Sequence, residues 1–170
     1  MITLFLLMAW TLQDVAKTIH DHPAFTAHFS QTLTPPAGDV LKDGGMVRFA
    51  WGKGLRFDYE NKEKRSYVFE PKGYSSRTGS GQWEFQAWNE SSPELGPFLF
   101  LLNGKIPEGT GWTVTMKEGR LVVGSASPAF TLTLDATTCW PKSLSVKQQD
   151  GSVNALEFTD IKRGAEGILP

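Results

Sequence analysis

Hydrophobic residues recur at helical spacing near the start of the chain. Four apolar side chains fall at i, i+3, i+4 and i+7, the spacing of one helix face: Leu12, Val15, Ala16 and Ile19. Pro23 follows, and the residue before a proline is disfavoured in the helical region. The pattern predicts an amphipathic helix over residues 11–22.

After Pro23 the hydrophobic period changes to two. Apolar side chains alternate with polar ones through "AFTAHFSQTL" (24–33), and the alternation returns in eight further short segments. Successive side chains of a strand point to opposite faces, so each segment predicts a strand with one buried face. The inward positions are Phe25, Ala27, Phe29, Leu33, Val47, Phe49, Trp51, Leu55, Phe57, Tyr59, Tyr67, Phe69, Trp112, Val114, Met116, Leu121, Val123, Phe130, Leu132, Leu134, Leu144, Val146, Leu156 and Phe158.

Glycine-containing pairs between these segments indicate turns. We predict hairpin turns at "DGG" (43–45), "EG" (118–119) and "DG" (150–151). Gly52 and Gly54 stand between two predicted strands, which favours a turn or bulge over a phosphate-binding loop. Short strands joined by short turns predict a mainly β (α+β) fold. We expect a strongly curved antiparallel sheet that forms an incomplete barrel.

The segment "NESSPELGPFLFLLNGKIPEG" (89–109) interrupts the alternation. Ser91 or Ser92 is a suitable N-cap, Pro93 suits a first helical turn, and Gly104 suits a helix end. We therefore predict one or two short helices over about 92–103. Together with the first helix they would cover the concave face of the sheet as a lid.

The apolar block at residues 2–10 is similar to the hydrophobic part of a secretory signal. No lysine or arginine precedes it and no A-x-A cleavage site follows, so it is either a truncated signal or the first turns of a helix. We expect the signal, with one domain over residues 11–170.

Composition and charge narrow the classes of partner. The chain of 170 residues has a net charge of −1 and no block of basic residues, so nucleic acid is not an expected partner. It contains 11 Phe, 6 Trp and 3 Tyr, which suits large apolar surfaces. The single cysteine, Cys139, excludes an internal disulfide.

Residues with catalytic or metal-binding chemistry are sparse. The chain lacks G-x-S-x-G, P-loop and H-E-x-x-H motifs. His20 and His22 lie two positions apart on a predicted helix and so point to different sides, which is poor ligand geometry. Cys139 has no basic residue beside it, so we expect a buried structural thiol. We predict no enzyme activity, no cofactor and no metal.

Several segments, in order, resemble the LolA family of periplasmic lipoprotein carriers. "FTAHFSQTL" (25–33) resembles the family's F-x-A-x-F-x-Q first strand, and "GKGLRFDYE" (52–60) resembles its R-P-x-x-L-R-W-x-Y strand. "SPELGPFLFLLNG" (92–104) is similar to its apolar lid. "LTLDATTCWPKSLSVKQQDGSVNALEFTDIKRG" (132–164) is similar to its closing hairpin.

The resemblance implies a monomeric periplasmic carrier of acylated lipoproteins. Such carriers receive cargo from an inner-membrane lipoprotein-releasing transporter and pass it to an outer-membrane receptor. A three-chain anchor represents roughly 30 kcal/mol of apolar transfer free energy that must be kept from water. A lid that closes on the empty cavity would lower the net affinity and permit release.

From these positions and the resemblance we predict a set of lipid-binding residues in the cavity and lid. They are Phe25, Phe29, Phe49, Trp51, Phe57, Tyr59, Phe98, Leu99, Phe100, Leu101 and Leu102. The family's arginine before the proline, which latches the lid, is replaced by Trp51-Gly52 here. The latch is therefore absent, or Lys53, Arg48 or packing by Trp51 replaces it.

Other functions remain open at this point. The main alternative is a lipid- or lipoprotein-binding sensor module of the same half-barrel fold. An anchored receptor is disfavoured, because the only cysteine, Cys139, is far from any signal. A lipid-acting enzyme would need a catalytic pair in the cavity. A purely structural protein would have a solid interior in place of a cavity.

Overall fold

The computed structural model describes residues 9–88, 99, 111–126 and 129–170. They include one helix with described bounds and eleven strands: α1 (Leu12–Asp21), β1 (Ala24–Thr34), β2 (Leu41–Ala50), β3 (Gly54–Tyr59), β4 (Arg65–Glu70), β5 (Gly73–Thr78), β6 (Glu84–Ala87), β7 (Thr113–Lys117), β8 (Arg120–Ala126), β9 (Ala129–Asp135), β10 (Pro141–Lys147) and β11 (Val153–Arg163).

The helix α1 confirms the amphipathic pattern and has a capping box at its N-terminus. The Thr11 hydroxyl accepts a hydrogen bond from the Asp14 backbone N–H at 3.2 Å, and the Asp14 carboxylate accepts one from the Thr11 backbone N–H at 2.8 Å. At the other end the His22 N–H donates to the Ile19 carbonyl at 3.1 Å. The apolar face, including Val15, is buried.

All eleven strands belong to one antiparallel sheet in the order β6-β5-β4-β3-β2-β1-β11-β10-β9-β8-β7. Two meanders, β1–β6 and β7–β11, are thus joined where the first strand pairs with the last. β6 and β7 stand at opposite ends, and no pairing joins them in the described ranges. The predicted open, curved antiparallel sheet is confirmed.

Two of the strands, β5 and β6, are not predicted by the sequence pattern. Their sequences, "GYSSRT" and "EFQA", carry no apolar alternation. Ser75 of β5 is nevertheless buried. Both strands are held by backbone pairing with their neighbours, and that pairing leaves no hydrophobic signature.

The predicted hairpin turn at "DGG" (43–45) is wrong. These residues lie inside β2, and β1 and β2 are joined by residues 35–40. A Cβ on Gly45 would stand 2.0 Å from the Asp58 carbonyl oxygen of β3. The glycine is therefore required by the close approach of a neighbouring backbone and not by a turn.

The other two hairpin signals are confirmed. Glu118 and Gly119 join β7 to β8 with φ of 50° and 73°, the left-handed conformation that a tight hairpin turn needs. Asp150 and Gly151 lie between β10 and β11, and Gly151 has φ of 87°.

One face of the sheet, the inner face, carries the hydrophobic core. α1 and Leu99 pack on this face with the alternate side chains of the strands. The buried members are Val15, Ile19, Phe25, Ala27, Phe29, Val47, Phe49, Leu55, Phe57, Leu99, Leu121, Val123, Phe130, Leu132, Leu134, Cys139, Leu144, Val146, Leu156 and Phe158.

The outer face of β2–β4 carries a polar network centred on Asp58. Its carboxylate accepts hydrogen bonds from Arg48, from Arg56 at 2.9–3.0 Å and from the Ser66 hydroxyl at 2.8 Å. Arg56 also donates to the Gly167 carbonyl at 2.9 Å, which ties the C-terminal segment to this face. Burial raises the pKa of the Asp58 carboxyl, but the hydrogen bonds and the arginine charges outweigh it, so the pKa lies below its usual value.

We predict that Gly45→Ala destabilises the fold. The added methyl group meets rigid backbone at 2.0 Å, so β2 and β3 must separate locally, at a cost of about 1–3 kcal/mol. Gly124→Ala is the matched control, since a Cβ there meets nothing closer than 3.4 Å. Urea unfolding of both variants measures the difference; equal stability would contradict the close approach.

The Asp58 network predicts a specific dependence of stability on pH. Because the folded pKa is lowered, the ionised carboxyl stabilises the fold above about pH 4, and this contribution is lost as pH falls through the folded pKa. Asp58→Asn should lower the free energy of unfolding at pH 7 by about 1–3 kcal/mol. The deficit should shrink towards pH 3 in urea unfolding.

The exposed Asp39 supplies the control for this experiment. Asp39→Asn should leave the free energy of unfolding nearly unchanged at both pH values. A deficit of Asp58→Asn that stayed constant from pH 7 to pH 3 would contradict the electrostatic explanation.

Candidate functional site: an aromatic cavity on the inner face

Aromatic side chains meet across β1, β3 and β4 on the inner face because the strand register aligns them. Phe29 of β1 and Tyr59 of β3 both face Gly45 of the intervening β2. Because no side chain lies between them, the centroids of the two rings are only 5.0 Å apart. The ring centroids of Phe29 and Phe57 are also 5.0 Å apart, and those of Phe57 and Phe69 of β4 are 6.0 Å apart. The glycine thus permits a continuous aromatic surface across three strands.

A cavity of about 630 Å³ opens beside this surface. That volume lies within the roughly 300–1,000 Å³ typical of small-molecule sites. Its apolar lining consists of Leu33, Leu41, Phe57, Tyr59, Tyr67, Phe69 and Leu156, and its polar lining of Gln31, Lys42, Asp43, Asn61, Arg65 and Asn154. Leu33 and Leu41 place it at the end of β1 opposite to α1.

A chain of polar side chains crosses the cavity wall. The Tyr59 hydroxyl donates to Gln31 Oε1 at 2.7 Å, and Gln31 Nε2 donates to Asn154 Oδ1 at 2.9 Å. Burial, with smaller contributions from Tyr67 and Asp43, raises the pKa of Tyr59, so its hydroxyl stays protonated and can donate.

The predicted lipid-binding residues of the sheet occupy two different environments. Phe57 and Tyr59 line the cavity, and Phe29 contacts both rings. Phe25 and Phe49 are only 1% exposed, and their tilted rings have centroids 5.5 Å apart at the α1 end of the sheet. The sheet aromatics therefore divide into a group at the cavity wall, in which Tyr59 is half-buried and Phe29 and Phe57 are buried, and a second buried group at the α1 end.

The predicted lid is described at one position only. Leu99 is helical, 9% exposed and part of the core cluster. Phe98, Phe100, Leu101 and Leu102 lie outside the described residues. The helices predicted over 92–103 otherwise remain a prediction.

The three residues that could replace the family's latch arginine, Arg48, Lys53 and Trp51, lie in different parts of the structure. Arg48 lies on the outer face and bonds Asp58, so it does not face the cavity side of the sheet. Lys53 is exposed in the β2–β3 turn. The Trp51 ring meets His20 of α1 edge-to-face at 5.0 Å, so among the described residues it packs on the helix.

Several lining residues were absent from the predicted site. Tyr67, Phe69, Leu33 and Leu156 stand on the same period-two alternation as the predicted residues, but the pattern alone does not show which strands are neighbours. Gln31 and Asn154 carry no hydrophobic signal at all. Their role appears only once β1 pairs with β11.

The expectation of a buried structural thiol is confirmed. Cys139 is fully buried, and burial raises its pKa to about 11. The thiolate is the reactive form of cysteine, so this side chain is a poor nucleophile at neutral pH. Within the described ranges, no group of three His, Cys, Asp or Glu could hold a metal ion.

A second groove of about 1190 Å³ lies on the outer face, under the C-terminal segment. Its lining contains equal numbers of cationic and anionic side chains. The cations are Arg48, Arg56 and Arg163, and the anions are Asp58, Glu60 and Glu166. Such a surface does not suit a hydrocarbon chain. The inner cavity, with its seven apolar and aromatic side chains, is the better candidate for an apolar ligand.

Comparison with known proteins agrees with the resemblance. An outer-membrane lipoprotein carrier protein of Vibrio vulnificus is 24% identical over 159 residues, which cover 89% of this chain and 79% of the relative. The protein of the same name from Vibrio campbellii is 22% identical over 157 residues, covering 89% and 75%. No family model matches the chain. The chain is thus similar in sequence to outer-membrane lipoprotein carrier proteins, in agreement with its resemblance to the LolA family.

Solved structures also align with this chain over most of its length. A LolA superfamily protein of Nitrosomonas europaea aligns with a TM-score of 0.48 at 9% identity, covering 94% of this chain and 96% of that one. The lipoprotein LppX of Mycobacterium tuberculosis aligns with a TM-score of 0.41 at 10% identity, covering 93% and 98%.

In the described part of the chain, no helix has the length and apolar character needed to cross a membrane.

We predict that Cys139 is unreactive in the folded protein. A pKa of about 11 leaves almost no thiolate at pH 8, and the sulfur is shielded from solvent. Iodoacetamide at pH 8 should label the native protein at least about a hundredfold more slowly than the protein in 8 M urea, as measured by mass spectrometry. Equal rates would show that the segment around Cys139 opens readily.

Proposed function

We propose that the chain is a periplasmic carrier that shields the acyl chains of lipoproteins and moves them from the inner towards the outer membrane. The observation that carries the proposal is the cavity of about 630 Å³, lined with aromatic and aliphatic side chains, on the inner face of an open sheet. The carrier name of the curated relatives supports the same function.

The cavity suits acyl chains because of its chemistry. Burying each CH₂ group of a chain contributes about 0.8 kcal/mol, so a long chain binds wherever it replaces contact with water by contact with apolar surface. Leu41, Tyr67 and Phe69, which are exposed or partly buried, supply such surface. The cavity is also open to solvent on one side, so a chain can enter while the attached polypeptide stays outside.

A complete anchor needs more apolar surface than the open cavity offers. Phe25, Phe29 and Phe49 continue the aromatic surface towards α1, but they are buried in the ligand-free core. We infer that cargo reaches them when α1 or the segment containing Leu99 moves aside. Phe98, Phe100, Leu101 and Leu102 would then contact the chains from the lid side.

Closure of the empty protein on itself gives a reason for release. The core contacts of Val15, Ile19 and Leu99 must be broken before long chains enter, and that cost lowers the net affinity. A carrier needs this balance, because cargo that binds too tightly cannot be handed on. The donor in this proposal is an inner-membrane lipoprotein-releasing transporter, and the acceptor is an outer-membrane receptor.

We predict that Leu41→Asp weakens binding of an acylated peptide. Leu41 lines the cavity and is 61% exposed, so the substitution alters the site without opening the core. Loss of one leucine contact and placement of a charge beside the chain should reduce affinity by roughly tenfold or more. Isothermal titration with a tripalmitoylated cysteinyl peptide below its micelle concentration measures the effect.

Leu169→Asp is the matched control, because Leu169 is 50% exposed and lies outside the cavity lining. It should bind the peptide as the parent does. Equal weakening by both substitutions would show that the inner cavity is not the binding site.

Transfer distinguishes a carrier from a binding module. The protein preloaded with a fluorescent tripalmitoylated peptide should deliver it to outer-membrane vesicles of the host and not to receptor-free lipid vesicles of the same lipid composition. Retention of the peptide by the protein in both cases would contradict the shuttle and favour a sensor of the same fold.

A further inference from the structure

The cavity contains a polar feature that hydrocarbon binding does not require. Gln31 and Asn154 place two carboxamides in the wall between Leu33, Tyr59 and Leu156. We propose that this amide pair is a carbonyl-binding site for the ester or amide that joins an acyl chain to its head group. The inference rests on the proposed function and specifies which part of the ligand the cavity recognises.

The hydrogen bonds of the pair run in one direction. Tyr59 donates to Gln31 Oε1, which turns Gln31 Nε2 towards Asn154, and Nε2 donates to Asn154 Oδ1. Each carboxamide nitrogen carries two hydrogens. One hydrogen of Gln31 and both of Asn154 have no hydrogen-bond partner among the described residues. Each of the two amide oxygens already accepts one hydrogen bond, whereas these three N–H hydrogens are unused donors.

The position of the donors suits a chain-bearing carbonyl. Asn154 stands directly across from Leu33 and two residues before Leu156, both of which line the apolar part of the cavity. If a carbonyl oxygen is bound at Asn154, the hydrocarbon chain attached to that carbonyl can therefore contact the neighbouring apolar side chains. Polar donors that lie beside apolar surface gain most from a ligand that satisfies them.

The charged residues of the lining favour a neutral acceptor over a carboxylate. Arg65 already bonds Glu63 at 2.5 Å, and Asp43 accepts from Asn61 at 2.6 Å. Lys42 is exposed. Asp43 adds a negative charge to the same lining and Arg65 is already paired with Glu63, so an ester or amide carbonyl suits the amide pair better than a free fatty acid.

The geometry depends on Gly45. Tyr59 faces Gly45 across β3–β2, and Gly45 in turn faces Phe29 of β1. With no side chain at this position, the Tyr59 hydroxyl reaches over β2 to Gln31, two strands away. The same glycine therefore permits both the aromatic surface and the orientation of the amide pair.

The test compares two ligands that differ only in the carbonyls. The parent protein is titrated with a cysteinyl peptide carrying a dipalmitoylglyceryl diester and with its dihexadecylglyceryl diether, which keeps the chains and removes the ester carbonyls. The diester should bind roughly tenfold more tightly, as expected for one or two satisfied donors. A soluble short-chain diester phospholipid, with its diether, shows whether the carbonyl preference requires a peptide head group.

Asn154→Asp is the sharpest variant. It keeps an oxygen to accept from Gln31 and removes both free donors, so the preference for the diester should fall to less than about twofold. Gln86→Glu is the matched control, since Gln86 accepts from Tyr74 outside the cavity, and it should keep the full preference. Asn154→Leu removes the donors without adding charge, and it serves if Asn154→Asp does not fold.

The outcomes separate this inference from the proposed function. Equal binding of diester and diether by the parent, or a preference that survives both Asn154 variants, would overturn the carbonyl site and leave the carrier proposal intact. No binding of either lipopeptide would overturn the carrier proposal itself. Binding of the phospholipid diester alone, with the preference lost in the variants, would support the carbonyl site and reject lipoproteins as the cargo.

Discussion

The pairing of β1 with β11 is the constraint on which the rest of the architecture depends. Both strands are 11 residues long, and together they join an N-terminal and a C-terminal meander into one sheet. All other pairings link consecutive strands and close short loops. This one brings together residues more than a hundred positions apart, so its loop-closure entropy must be offset by the core packed on the inner face. Phe29 beside Phe158 and Gln31 beside Leu156 are direct results of its register.

An open sheet with one covered end can be both a stable fold and a binding surface. At the α1 end, Phe25 and Phe49 are buried beside the helix, and their contacts stabilise the fold. At the other end, Tyr67 and Phe69 line a cavity and are only partly buried. In the proposed carrier, stability and ligand binding would therefore depend on different parts of the same aromatic face. A ligand that extends along that face must compete with the protein's own core.

Sequence patterns predicted the elements far better than the site. The helix 12–21 followed from apolar spacing and a following proline, and nine strands followed from alternation, because burial of one face leaves a period in the sequence. β5 and β6 show no such alternation, because their inward positions include both polar and apolar residues and backbone pairing holds the strands in place. The "DGG" segment does not form the predicted turn, because glycine serves both positive φ and close backbone approach, and the sequence does not distinguish the two.

The sequence by itself determined the class of fold, the inward faces of most strands and the resemblance to lipoprotein carriers, because hydrophobic period and motif order are local properties of the chain. Only the tertiary structure decided which inward residues line a cavity and which fill the core. It also decided that Tyr59, Gln31 and Asn154 meet, although Gln31 and Asn154 are 123 positions apart. The physical reason is that the cavity depends on the register between strands and on the absence of a side chain at Gly45. The hydrophobic alternation of a single strand reveals neither.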